Sequence, residues 1–374
     1  MDTPSNPNLE IIDSVMLTPL VRRSMQRGEA KIIDWKKERL YGGSFNSEIH
    51  RFSGTAYDQG EVLPWSLILK IIRSPDGQDD PSSLNYWKRE AFAYQSGLLD
   101  QFPDIICAPR CFEIVEQSGV EVWLWIEEII DELSGSWQLD QYGNVARHLG
   151  QFNSIGFGRQ AQFTQPWLTK GQLRAWVGDA SPELPPNILA YPLVSRVWPH
   201  DIYEWMLRVW SKQEVWIDNI EHQPQTLAHL DAFRRNLFSR QNKQGLLQTV
   251  MIDWAFVGSA AAGEEIAPLV AASLNFLDFD STQVKALDQV VFEGYLEGLR
   301  EAGWRGDPRA VRSTYAAASI LRYCIGVSGV AYMIADESQH GLLEQIFGHP
   351  LEKLTDVWAS TNRFLFHLAD EVNF

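Results

Sequence analysis

Apolar and polar positions alternate through the first third of the chain and then give way to helical spacing. After a helix-like stretch, SVMLTPLVRRSMQRG (14–28), residues 31–40 (KIIDWKKERL) read as a strand that runs up to Gly42-Gly43. SEIHRFSGTAY (47–57) is its partner strand, with Ile49 and Phe52 apolar, and WSLILKII (65–72) is a third, largely apolar and interrupted by one charge, Lys70. In SSLNYWKREAFAYQSGLL (82–99) the period changes. Leu84, Trp87, Ala91, Tyr94 and Leu98 recur every three or four positions, which predicts a helix. Two more strands, RCFEIVEQ (110–117) and VEVWLWIEEII (120–130), flank a turn at Ser118-Gly119.

From about residue 132 helical patterns dominate, apart from one strand-like segment near 225–253. A strand-rich piece followed by a helix-rich piece implies the α+β class with two lobes, 1–131 and 132–374, divided near DELSGS (131–136). With 374 residues, 45% of them hydrophobic, the chain is ample for one large core or two domains. The most membrane-like run, ASILRYCIGVSGVAYMI (318–334), carries Arg322 and is shorter than a span, so it reads as a buried helix.

Charge and cysteine usage exclude some partners. A net charge of −16 argues against nucleic acid, which requires a concentrated basic surface. Cys107 and Cys111 have no second Cys/His pair to complete a zinc site. With Cys324 they read as free thiols of a reducing cytoplasm. The opening MDTPSNPNLE lacks the apolar core of a signal peptide. The expectation is a cytoplasmic protein, monomer or homodimer, without membrane or nucleic-acid partners.

The segment LAHLDAFRRNLF (227–238) carries more chemistry than a connecting loop needs. A short apolar strand runs into His229, then Asp231, then Asn236. A polar turn, SRQNKQG (239–245), follows, and a second apolar strand, LLQTVMI (246–252), ends in Asp253-Trp254. A hairpin of this kind collects Asp231, Asn236 and Asp253 at one end. Two carboxylates and an amide oxygen are the hard ligands Mg²⁺ prefers, with one carboxylate left over for a proton.

H-x-D-x-x-x-x-N, a hairpin and I-D-W resemble the catalytic segment of the aminoglycoside phosphotransferase and choline kinase-like family, relatives of protein kinases. The resemblance implies a bilobal protein-kinase-like fold. Its small N-terminal lobe holds a five-stranded antiparallel sheet plus a helix, and its larger C-terminal lobe is mostly helical. It makes Asp231 the base that accepts the substrate hydroxyl's proton and His229 a loop-shaping residue. Asn236 and Asp253 would hold Mg²⁺ on the nucleotide phosphates. Gly43, Ser44, Phe45 and Asn46 would form the phosphate-covering turn. Lys70 would bind the α- and β-phosphates and pair with Glu90, with Glu38 and Glu48 as competitors for that cation. Glu127, Glu128 and Ile129 would form the hinge that reads adenine through the main chain. Two departures stand out: Leu230 occupies the usual glycine between His and Asp, and Glu265-Ile266-Ala267 replaces the Asp-Leu-Ala helix start. Glu264 and Glu265 are therefore structural first and substrate-contacting second.

The function expected is transfer of the γ-phosphoryl group of ATP, or GTP, with Mg²⁺, to a hydroxyl of a small molecule such as an aminoglycoside, choline-like compound, amino acid or sugar. The rivals are a non-catalytic nucleotide-binding module of the same fold, a kinase of protein side chains, and an unrelated hydrolase. For the acceptor, YPLVSRVWPHDIYEWMLRVW (191–210) offers Trp198, Asp201, Glu204 and Trp205; the same stretch also reads as an amphipathic core helix.

Overall fold

The computed structural model describes residues 7–40, 46–75, 79–117, 119–133, 135, 137–158, 163–180 and 182–373. Contacts divide it into two units. The first holds the residues through Asp80 together with Tyr86–Asp100 and Ala108–Ile130; the second holds Pro81–Asn85, Gln101–Cys107 and everything from Asp131 on.

The first unit begins with helix α1 (Ser14–Met25). Asp13 caps it, its carboxylate accepting from the Val15 and Met16 amides at 2.9 Å. Three long strands follow: β1 (Lys31–Leu40), β2 (Ser47–Asp58) and β3 (Glu61–Arg73). Gln59 and Gly60, both at positive φ (48° and 93°), close β2 onto β3 in the two-residue turn that suits strand twist. β3 starts at Glu61, four residues before the expected 65, and so contains Pro64. The proline is tolerated because β6 pairs with β3 only from Ile68 on, leaving Pro64 with β2 alone beside it.

The helix expected over 82–99 is confined to α2 (Arg89–Gln95). Its apolar period is continuous, but Pro81, Ser82, Ser83 and Asn85 favour turns, and Gly97 at φ 68° ends it. β4 (Ile106–Cys107) comes next in sequence but belongs to the second unit, and β5 (Cys111–Gln117) and β6 (Glu121–Ile126) return to the first. The sheet order is β1-β2-β3-β6-β5, all antiparallel, so β3 is the central strand. Phe52, Leu67, Leu69, Ile71, Trp123 and Trp125 pack with Leu17, Leu20 and Val21 of α1. Lys70 alternates out of that row, opposite Ile49 on one side and Leu124 on the other.

In the second unit α3 (Leu139–Ser154) packs against α5 (Val284–Glu301). Small residues make the approach close: a Cβ at Gly298 would overlap the Arg147 carbonyl, and one at Gly294 would overlap that of Gly143. Between them in sequence lies α4 (His200–Trp210), and after them come α6 (Pro308–Ile320) and α7 (Leu351–Leu368). The membrane-like run continues α6 through a π turn, Leu321–Ile325, marked by the Gly326 amide on the Leu321 carbonyl at 2.8 Å. Pro308–Ala335 is long and apolar enough to cross a membrane by length and composition, and 67% of its most apolar window is buried inside the protein.

Four short strands position the loop of His229. β7 (Gln225–Ala228) pairs antiparallel with β10 (Gly258–Ala261), while β8 (Leu237–Gln241) and β9 (Leu247–Met251) form the hairpin. β4 adds to β9 in parallel. The polar turn is shorter than 239–245, because Ser239 and Arg240 stay in β8 opposite Thr249 and Gln248. The Asp131 carboxylate accepts the Ser239 amide at 3.0 Å.

Candidate active site

The expected base sits at the end of β7 in a loop held from four directions. His229 is fully buried. One of its ring nitrogens lies 2.9 Å from the Ile252 carbonyl, and the other accepts the Asp231 amide at 3.2 Å. Its ring meets Trp254 edge-on at 4.6 Å. With both nitrogens engaged by the main chain, His229 shapes the loop and has no lone pair left for substrate chemistry.

Asn236 joins the loop to the hairpin. Its amide nitrogen donates to the Asp231 carbonyl at 3.0 Å and to Asp231 Oδ2 at 2.9 Å. Because the NH₂ end faces these acceptors, the amide oxygen points the other way, where it can ligate a cation. The Asn236 carbonyl accepts the Ile252 amide at 3.0 Å, so the hairpin's first cross-strand step brings the residue before Asp253 alongside Asn236. Asp253 itself adopts a left-handed conformation, φ 63° and ψ 67°, which turns the chain sharply out of β9. Its charge is felt at Asp231. Burial pushes the Asp231 carboxyl up to about 6; Arg322 opposes this, Asp253 adds to it, and hydrogen bonds from Arg322 and Asn236 oppose it again.

The loop and hairpin thus join Asn236 to Asp231 directly and bring Asp253 near enough for its charge to act on Asp231. An oxygen-only donor set of one carboxylate and one amide suits Mg²⁺, whose remaining ligands come from phosphate and water. Among the described residues no cluster of three His, Cys, Asp or Glu side chains is arranged to hold a metal unaided.

Glu265 anchors the loop from below. Its Oε2 accepts the His229 amide at 2.7 Å, the Leu230 amide at 3.5 Å and the Asn153 side-chain amide at 3.4 Å. The residue is completely buried, and burial pushes its carboxyl up to about 8 against the pull of those donors. This is a structural use of the carboxylate. Glu264 accepts the Ala261 amide at 2.6 Å and is pushed up to about 7, again by burial.

Leu230 has φ 67° and is 2% exposed. A glycine would hold this left-handed conformation freely, whereas leucine does so at a cost of roughly 1–2 kcal/mol. One compensating contact comes from a residue the sequence reading did not assign to the site. Arg322, in the π turn after α6, donates to the Leu230 carbonyl and, at 2.8 Å, to Asp231 Oδ1. The sequence signal was there: a single cation in an otherwise apolar run, costly to bury unless it meets an anion. Asp131 was missed too. It binds Arg234 at 2.7 Å, and Arg234 stacks on Trp137 with 4.2 Å between guanidinium and ring centre.

In the first unit Lys70 Nζ lies 2.6 Å from Glu90 Oε2, with side chains 9% and 2% exposed. The competitors are engaged elsewhere: Glu48 binds Arg73 at 2.8 Å and Glu38 lies 3.6 Å from Arg51. Gly43, Ser44 and Phe45 lie outside the described residues. The Asn46 amide nitrogen donates to the Arg73 carbonyl at 3.1 Å. The strand expected over 120–130 ends at Ile126. Glu127 pairs its amide with the Arg110 carbonyl at 2.9 Å, and Glu128 binds Arg51.

The acceptor candidates on α4 divide by face. Asp201 and Glu204 are exposed, whereas Trp205 is buried with its ring 5.3 Å from Phe366, and Trp198 is buried as well. Beside Leu230 a cavity lined by Gln172, Trp176, Glu264 and Arg322 has room for about one water molecule, too little for an acceptor.

Solved structures similar to this chain include small-molecule kinases and phosphotransferases. A Plasmodium vivax ethanolamine kinase matches with a TM-score of 0.49 at 10% identity, over 96% of this chain and 88% of the other. An amicoumacin kinase in complex with AMP-PNP and Ca²⁺ matches with a TM-score of 0.48 at 12% identity, over 85% and 88%. A spectinomycin phosphotransferase in complex with ADP and spectinomycin matches with a TM-score of 0.44 at 14% identity, over 94% and 99%. No family model matches the chain, and neither does any of the curated proteins.

Proposed function

We propose that this protein is a phosphotransferase that moves the γ-phosphoryl group of ATP to a hydroxyl of a small molecule. The observation that carries the reading is the two-sided use of Asn236. Its nitrogen orients the Asp231 carboxylate at 2.9 Å, and its oxygen is thereby turned toward the side available to a cation.

In this reading Asp231 accepts the proton as the acceptor oxygen attacks phosphorus and ADP leaves. Asn236 and Asp253 would hold Mg²⁺, which would supply charge neutralisation on the phosphates. Lys70, oriented by Glu90, neutralises the non-transferred phosphates. Little covalent work falls to the protein, and most acceleration comes from positioning and fixed charge. The exposed Asp201 and Glu204 and the strongly acidic chain favour a cationic acceptor, since opposite charge raises its local concentration.

The test is ADP release from Mg-ATP across aminoglycosides, macrolides, choline, ethanolamine, homoserine and sugars, with Asp231→Asn as the blank. Turnover above that blank with one class supports the reading and names the acceptor. Equal rates in the wild type and Asp231→Asn with every class contradict the assignment of Asp231.

A further inference from the structure

The geometry points to Arg322 as a positioning residue that holds the Asp231 loop in its working conformation by gripping the Leu230 carbonyl and the Asp231 carboxylate together. This inference rests on the phosphotransferase reading for its kinetic consequences, but not for its structural ones.

Three independent features meet at this side chain. First, Leu230 is a buried, non-glycine residue at φ 67°, so its peptide has a persistent tendency to leave the left-handed region. Glu265 holds the N–H side of this residue, and Arg322 Nη1 holds the carbonyl side. Second, Arg322 comes from a π turn, Leu321–Ile325, set into an otherwise α-helical run. Such one-turn bulges redirect a side chain that regular α spacing would place elsewhere, and they concentrate at functional sites. Third, the guanidinium is held in place. It lies 4.8 Å from the Trp176 ring centre and 5.1 Å from that of Tyr323, and Trp176 in turn packs against Gly326, where a Cβ would overlap its ring. Planar stacking with two donors aimed at two oxygens is a task for arginine; a lysine ammonium offers a point charge on a flexible stem.

The consequence is a carboxylate fixed at both oxygens. Oδ1 faces Arg322 Nη2 at 2.8 Å and Oδ2 faces Asn236 Nδ2 at 2.9 Å, so rotation about the Asp231 side chain is blocked in both directions. Each carboxylate oxygen keeps a second lone pair, enough for a substrate hydroxyl. Arg322 does not touch the reacting atoms in this account; it acts through Asp231.

The test compares wild type with Arg322→Lys, Arg322→Met, Leu230→Gly and the double variant Arg322→Met/Leu230→Gly. Steady-state phosphoryl transfer and hydrogen exchange of the amides in 229–236 are read for each. Arg322→Met is expected to lower kcat by about 10²-fold, the typical effect of a small misplacement, with KM for ATP changed less than about twofold. Arg322→Lys, the variant safest for folding, is expected to fall between the two. Leu230→Gly in the Arg322→Met background is expected to recover at least tenfold of the loss, because glycine needs no clamp at φ 67°. A merely structural role would lower the active fraction without this split and without rescue by glycine. Exchange in 229–236 is expected to rise in Arg322→Met and to fall back in the double variant. Wild-type-like kcat and exchange in Arg322→Met, or a loss that Leu230→Gly leaves untouched, would overturn the inference. If the wild type shows no transfer at all, the phosphotransferase reading fails, and the exchange data alone then decide whether Arg322 holds the loop.

Discussion

Lys70, on the central strand of the first unit, and Glu90, on α2, form an ion pair of 2.6 Å with both side chains almost fully buried. Two charges so placed gain little net stability, since desolvation offsets their attraction, yet losing one leaves the other stranded. Glu90→Ala is therefore expected to destabilise the first unit by about 3–5 kcal/mol in urea unfolding. The paired change Lys70→Met/Glu90→Leu should restore most of that while removing nucleotide affinity measured by calorimetry. A double variant that still binds ATP like the wild type would contradict the role given to Lys70.

Asn236→Ala removes the donor on Asp231 Oδ2 and the oxygen assigned to the cation at once. Turnover is expected to fall by about 10²–10³-fold, in the range of losing a preorganised hydrogen-bond donor, and the Mg²⁺ concentration for half-maximal rate should rise. Asp253→Ala should raise that concentration further. An unchanged Mg²⁺ dependence in both variants would remove the metal assignment.

His148 is buried, accepts or donates at 2.8 Å to Thr249, and is pushed down to about 4 by burial. The unfolded chain binds this proton below about 6.5, whereas the folded protein does so only near 4. Stability from this site is present above 6.5 and is lost as pH falls toward 4, by on the order of 3 kcal/mol in all. His148→Gln should flatten the urea-unfolding free energy between pH 6.5 and 4.5, and an unaltered slope would contradict the account.

Glu265 acts in the opposite sense. Its carboxyl is raised from 4.5 to about 8, so the folded state binds the extra proton. Stability from this group is complete below 4.5 and is lost as pH rises toward 8. Glu265→Gln, which keeps an oxygen for the His229 amide, should remove that decline with little loss at pH 5. Glu265→Ala leaves the amide unpaired and should cost about 1–3 kcal/mol throughout. A Gln variant as unstable as the Ala variant at pH 5, where the folded Glu265 is already neutral, would show that an oxygen at this position is not what holds the loop.

Local pattern made part of this architecture legible before any coordinates. The five strands of the first sheet were visible because apolar alternation and turn residues are short-range signals, and Lys70 stood out as a cation inside an apolar strand. The hairpin of Asn236 and Asp253 was visible for the same reason, through its two apolar runs and a polar turn. Long-range pairing was not. Nothing local says that β7 joins β10 or that β4 adds to β9 in parallel, because these partners are chosen by the packing of distant segments. Arg322 stood out as a cation in an apolar run, but its partner was hidden, since Asp231 lies 91 residues away and the π turn that aims the side chain leaves no mark on the apolar period. The seven residues before α2 kept a helical period without forming a helix, since Pro81 and the adjacent serines act on the backbone and the period only on packing.

The central claim is that Asp231 takes a proton from an acceptor hydroxyl as the γ-phosphoryl group passes from ATP to that oxygen and ADP leaves. The most direct measurement is ³¹P NMR of Mg-ATP incubated with each acceptor class, run in parallel for the wild type and Asp231→Asn. The account predicts growth of ADP and of one phosphate-ester signal in the wild type, absent in Asp231→Asn even though that variant still binds ATP. A phosphate ester formed equally fast by Asp231→Asn, or ATP bound by the wild type and left intact with every acceptor and with water, would contradict it.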